Sequence, residues 1–258
     1  MTEDYLDIPL ETDLLNAAGM LGFAPNPRGP VGLNILGAFV TAPVSLTPRT
    51  PAESRCLIPF PGGFLLHTGL PNPGLRAVIQ RYAQRWAASP LPVIVHLLTN
   101  TPPETAQMVH RLEEVEGVAG IEVGLAPQVD PAVAAGLARA AQGELPVILS
   151  VPLDRVIDLS PDLRAAGVST ISLAPPRGTL PGRDGRLLSG RLYGPALLPA
   201  ALKAVQCARQ AGFRVIGAGG VYSPADAEAM RAAGAFAIQL DTVLWKGMDP
   251  EWLLGANE

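Results

Sequence analysis

Residues 214–242 read RVIGAGGVYSPADAEAMRAAGAFAIQLDT. An apolar run through Val215 and Ile216 enters a loop holding Gly217, Gly219 and Gly220. Ser223-Pro224 then opens an amphipathic helix, residues 235–240 form a second apolar run, and Asp241-Thr242 follows. The order is strand, glycine turn, helix, strand. Bare amides in such a turn, together with a helix N-terminus, make a seat for a phosphate. In (β/α)8 barrels such seats form after the seventh and eighth strands. The stretch therefore predicts that fold, with a phosphorylated ligand or cofactor held at Gly219, Gly220 and Thr242.

Outward from this segment, short apolar runs recur at 14–18, 38–42, 92–98, 120–125, 146–151, 170–174, 214–218 and 235–240. They are continuous rather than alternating, as expected of parallel strands covered on both faces by helices. Helical patterns fall between them at 74–88, 103–116, 131–141, 161–166, 195–211 and 224–233. Asp130-Pro131, Ser160-Pro161 and Ser223-Pro224 read as helix starts, a capping residue followed by proline in the first turn. The whole chain, residues 1–258, is thus expected to be one α/β domain, a single (β/α)8 TIM barrel. Residues 23–66 and 175–194, rich in proline or glycine, are expected to be βα loops on the ligand face.

Composition narrows the function. The formal charge is −4 with no basic run, so no nucleic-acid footprint or membrane-binding patch is present. No stretch approaches the roughly 20 apolar residues of a membrane span, and the acidic opening MTEDYLDIPLETD is unlike a targeting peptide. A cytoplasmic protein is expected, with small molecules or other subunits as partners. Cys56 and Cys207 stand alone, without CxxC or histidine-rich spacing, which argues against a disulfide framework or a thiolate metal site. Two lysines, Lys203 and Lys246, stand against seventeen arginines.

Six segments in order give the chain a family resemblance. They are Leu15-Asn16-Ala17-Ala18-Gly19; Gly37 through Ser45 with Pro48-Arg49; Gly69-Leu70-Pro71-Asn72-Pro73-Gly74; Ile121-Glu122-Val123; Gly190 through Leu202; and Gly219-Gly220 through Thr242. Over nearly its whole length the chain resembles the dihydroorotate dehydrogenase family, FMN-dependent (β/α)8 barrels of pyrimidine biosynthesis. The resemblance implies a flavoprotein oxidoreductase acting on a CH–CH bond. FMN would be held at Ala18, Gly19, Gly194, Gly219, Gly220, Asp241 and Thr242, and substrate at Gly69, Leu70 and Asn72. It also implies a homodimer or a partner subunit.

The departures fall on the chemistry. Ala42 stands where the family has a flavin-contacting lysine, and Ser150 where a second lysine would stabilise the reduced ring. The loop expected to carry the proton-abstracting cysteine or serine reads Gly124-Leu125-Ala126-Pro127-Gln128, and none of these can accept a proton. Leu66, Gly124 and Ala174 replace three substrate amides. No catalytic residue is therefore assigned, and dihydroorotate oxidation is doubtful. The alternative is a non-catalytic barrel that binds FMN or another phosphorylated ligand, or supports a partner subunit. Asp241 replaces a residue that is often glycine, and beside a phosphate its carboxylate would repel unless turned to solvent.

Other polar residues carry a plain reading beside a sharper one. His67 is a loop histidine or a replacement acid or base; His96 is a hydrogen-bonded core residue or a contact at the barrel mouth; His110 is expected to face solvent. Tyr193 replaces a small serine and fills the volume of a missing flavin or stacks on another ligand. Arg177, Arg183, Arg186 and Arg191 solvate a loop or meet an anion.

Overall fold

The computed structural model describes residues 8–29 and 31–246; the first seven residues of the acidic opening lie outside them. Eight parallel strands form the barrel: β1 (Leu14–Asn16), β2 (Phe39–Val40), β6 (Val93–Leu98), β7 (Val118–Gly124), β8 (Val147–Pro152), β9 (Thr170–Ala174), β12 (Arg214–Ala218) and β13 (Ala237–Leu240). They are hydrogen-bonded in the order β1-β13-β12-β9-β8-β7-β6-β2, and a short β3 (Val44–Ser45) continues β2 along β6. All eight predicted runs are strands.

The remaining seam lies between β1 and β2, too short for a full ladder. It is bridged at Leu15 and Ala38, and the side chain of Asn16 acts as an extra peptide group. Its Nδ2 donates to the Val40 carbonyl at 2.6 Å and its Oδ1 accepts from the Val40 amide at 3.0 Å. Both polar groups of Val40 are thereby satisfied inside the molecule, where leaving them unpaired would be costly.

The helices are α1 (Leu75–Ala87), α2 (Pro102–Glu113), α3 (Pro131–Ala141), α4 (Val156–Ala165), α5 (Leu198–Gln210) and α6 (Pro224–Ala232). Asp130 caps α3 through the Ala132 amide, and Ser223 caps α6 through the Asp226 amide. The predicted start at Ser160-Pro161 is corrected: α4 begins at Val156 and Pro161 lies inside it. Val156, Leu159 and Leu163 are buried on one face, and that packing outweighs a single missing amide donor. The Ser160 hydroxyl donates back to the Val156 carbonyl rather than capping a new helix.

Inside the barrel Leu15, Ala38, Val40, Ile94, Ile148, Ile216 and Ala237 form a compact apolar layer, while a larger cluster fills the space between strands and helices. Residues of the same parity one step further along the strands point inward above that layer, and they are polar: His96, Glu122, Ser150, Ser172 and Gln239.

The two long βα segments are more ordered than their composition suggests. Each folds as a hairpin, β4 (Cys56–Phe60) with β5 (Gly63–His67), and β10 (Arg177–Pro181) with β11 (Leu187–Tyr193). The hairpins join through β5 and β11 into a four-stranded antiparallel sheet, with Tyr193 opposite Phe64 and Arg191 opposite Leu66. Pro61-Gly62 turns the first hairpin with Gly62 at φ +87°, a turn in which proline fixes one corner and glycine supplies the left-handed one. Because these hairpins follow β2/β3 and β9, the sheet stands over the C-terminal end of the barrel.

Candidate functional site

Beneath that sheet lies a pocket of about 250 Å³, lined among others by Arg49, His67, Gly124, Arg177, Arg191 and Tyr193. Of the residues expected to hold substrate, Gly69 and Leu70 line it too. Leu70 has φ +53°, a left-handed conformation that costs a non-glycine residue about 1–2 kcal/mol, and its amide is tied to the Thr68 hydroxyl at 3.1 Å. Asn72 is buried, and its carboxamide is spent on the loop: Oδ1 accepts from the amides of Ser45 and Gly74, and Nδ2 donates to the Leu70 carbonyl at 3.2 Å.

Three guanidinium groups therefore meet at one mouth with no carboxylate among the lining residues. Arg49 donates to the Gly69 carbonyl and Arg177 to the Ser189 carbonyl, while the Arg191 guanidinium lies near enough to the Tyr193 phenol to favour its ionised form. Arg183 and Arg186 of the same loop are exposed, Arg186 beside Asp184. Tyr193 is buried and stacked on Phe64 with ring centroids 5.7 Å apart. Burial raises its phenol, Arg191 opposes that, and the charge of Asp241 raises it further. Tyr193 thus lines the mouth pocket and directly precedes Gly194.

Deeper in the barrel Glu122 is the hub of the polar layer. Its Oε2 lies 2.5 Å from His96 Nδ1, and its Oε1 accepts from Ser172 at 2.6 Å and from Gln239 at 2.7 Å. Burial alone would raise this carboxyl, but the three hydrogen bonds and the imidazole's charge outweigh it and hold the group below its ordinary value. With Nδ1 engaged by the carboxylate, Nε2 is the ring nitrogen left facing the rest of the site. That atom is buried and has no hydrogen-bond partner. A Cβ on Gly124 would come within 2.7 Å of it, so the imidazole occupies the space that a side chain at position 124 would need. Gly124 pairs in register with Ser150, and Ser150 with Ser172. No lysine enters this ring among the described residues: Lys203 is exposed on α5, and the side chain of Lys246 lies outside them. His110 faces solvent, as expected.

The glycine seat is built as the sequence suggests. Gly219 and Gly220 have φ +104° and +80°, and a Cβ on Gly220 would strike the Leu198 amide at 2.3 Å. Gly194, with φ +132°, likewise packs where a Cβ would meet the Gly62 carbonyl at 2.4 Å. Ala18 and Gly19 follow β1 at the same end of the barrel, Gly19 with φ +89°.

Asp241 turns into this seat rather than to solvent and is only 4% exposed. Its carboxylate accepts from the Thr242 hydroxyl at 3.3 Å, and the backbone amides of Gly220, Thr242 and Val243 lie near enough to favour its charged form. The Thr242 hydroxyl is in turn 2.6 Å from the Tyr222 hydroxyl. The groups that an FMN phosphate would need thus face a carboxylate, and a second anion would meet its charge in a buried setting. The seat in this arrangement does not fit the phosphate that the family resemblance implies.

A larger cavity, about 480 Å³, lies at the opposite end of the barrel, lined among others by Leu10, Ile94, Ile148, Ile216 and Phe236. Gln142, Arg164 and Arg214 line it as well, and it sits on the face that serves stability in this fold. Among the described residues no group of His, Cys, Asp or Glu is placed to hold a metal ion, Cys56 and Cys207 are free thiols, and no helix is long and apolar enough to cross a membrane.

No family model matches the chain. It is 34% identical over 266 residues to the catalytic subunit of an NAD(+)-dependent dihydroorotate dehydrogenase B from Pelobacter propionicus, covering 94% of this chain and 86% of that one. It is 32% identical, with the same coverage, to the corresponding subunit from Trichlorobacter lovleyi. Among solved structures it superposes on the ligand-free dihydroorotate dehydrogenase of Eimeria tenella with a TM-score of 0.71, at 16% identity over 96% of this chain and 85% of that one. The complex of that enzyme with ferulenol gives 0.70, at 14% identity over 94% and 78%. The extent of these identities, along a barrel of the same architecture, means that the chain belongs to the dihydroorotate dehydrogenase family.

Proposed function

We propose that this chain is a barrel of the dihydroorotate dehydrogenase family that does not oxidise dihydroorotate and instead holds a small anionic ligand at its C-terminal mouth, as a non-catalytic subunit. One observation carries the reading. Where the family chemistry needs a proton acceptor and a lysine, β7 and β8 present Gly124 beside Ser150, followed by Leu125, Ala126 and Pro127. Oxidation of a CH–CH bond removes a hydride from one carbon and a proton from its neighbour, which needs a base within hydrogen-bond reach of that proton, and Gly124, Leu125, Ala126 and Pro127 supply none. The pocket above them has kept charge suited to binding, through Arg49, Arg177 and Arg191, whose planar forks suit a carboxylate.

The decisive experiment mixes purified protein, excess FMN, dihydroorotate and a dye as electron acceptor. No orotate should form above the protein-free rate, while orotate itself should bind and lose affinity in Arg191→Ala. Turnover at an ordinary enzymatic rate overturns the reading.

A second reading keeps catalysis, as an FMN-linked oxidoreductase acting on another CH–CH substrate. The observation favouring it is the His96–Glu122 pair, whose Nε2 is unpartnered at the end of β6 beside Gly124. In that case any turnover found on a substrate survey falls at least about a hundredfold in His96→Gln, the usual scale for losing a general base. Turnover that is unchanged in this variant removes the reading.

A further inference from the structure

The phosphate seat at the ends of β12 and β13 has kept its backbone and acquired its own occupant. We infer that the Asp241 carboxylate is a built-in substitute for a bound phosphate, so that the native chain excludes phosphate and phosphorylated ligands from this cradle. Replacement of that one side chain by glycine opens it.

Three sets of contacts support this. The cradle is shaped for an anion: Gly219 and Gly220 hold left-handed conformations that turn the chain tightly into α6. Its donors face a charge from within: the Thr242 hydroxyl bonds the Asp241 carboxylate at 3.3 Å, and the amides of Gly220, from one loop, and of Thr242 and Val243, from the other, lie near enough to favour its charged form. Charge-assisted bonds from amide to carboxylate are the same interaction an incoming phosphate would make, so the two compete for one set of atoms. The carboxylate is also held in place. The Thr242 hydroxyl bonds it and lies 2.6 Å from the Tyr222 hydroxyl, and the Tyr222 amide is fixed by Asp226 at 2.9 Å. At 4% exposure the side chain has no open route to swing into solvent.

The inference stands apart from the loss of dihydroorotate oxidation, which rests on β7 and β8. Failure of one leaves the other in place.

The test is a titration of the isotopically labelled full chain with inorganic phosphate, read at the backbone amide resonances. In the native chain the Gly220, Thr242 and Val243 signals should not move. In Asp241→Gly they should shift and saturate, with an apparent phosphate affinity at least about tenfold tighter than native. Movement of those three signals in the native chain overturns the inference, and so does a folded Asp241→Gly that gains no affinity. If the variant does not fold, the native titration decides alone.

Discussion

At Asp241 burial lifts the carboxyl from an ordinary 3.8 to about 6, against the pull of the bonds from Thr242, Val243 and Gly220. A carboxyl raised on folding contributes stability that is complete below its unfolded value and is lost as pH rises through its folded one. The native chain should therefore gain on the order of 3 kcal/mol relative to Asp241→Asn as pH falls from 7 to about 4, since each tenfold change in proton affinity is worth about 1.4 kcal/mol. Paired urea titrations across that range check it, and a difference that stays flat would show that the side chain is not charged and buried in solution. Glu122 has the opposite sign. Its lowered value gives stability present above the ordinary 4.5 and lost as pH falls through the folded value. Glu122→Ala orphans His96, Ser172 and Gln239 together and should cost about 3–5 kcal/mol, the scale for breaking a buried ion pair. Chemical unfolding at pH 7 measures it, and a loss below about 1 kcal/mol would contradict the hub role.

Among the elements, the barrel strands are legible because each is a continuous apolar run. β9 and β12 coincide with the runs at 170–174 and 214–218. The hairpins are not, since β4 and β10 alternate exposed and half-buried residues and their proline and glycine content suggests loops. The Pro61-Gly62 pair between Phe60 and Gly63 is the available signal. Helix α4 is misplaced by the sequence pattern because Pro161 punctuates the sequence more strongly than it does the packed helix. The role of Asn16 is also hidden, because a side chain that completes a strand ladder leaves no pattern in its own neighbourhood. Asn16→Leu should strand the Val40 amide and carbonyl, costing about 2–6 kcal/mol at about 1–3 for each buried orphan. Thermal unfolding of the variant tests this, and a change within experimental error would mean that the β1–β2 seam closes without it.

For the whole molecule, ancestry is readable from six ordered segments, whereas function depends on which way a few side chains turn. Two directions could not be read in advance. Asp241 points into the seat instead of out, and His96 fills the space above Gly124. Both follow from contacts between paired strands, β12 with β13 and β6 with β7, that a reading of each run by itself does not show. Together they give a family barrel whose cofactor seat is internally occupied and whose mouth retains three arginines. The measurement that bears most directly on this account is the visible absorption spectrum of the full chain after incubation with excess FMN and removal of free flavin. The expected result is a colourless protein, with no stoichiometric flavin retained. A yellow protein carrying one FMN per chain, bleached by added dihydroorotate, would contradict it.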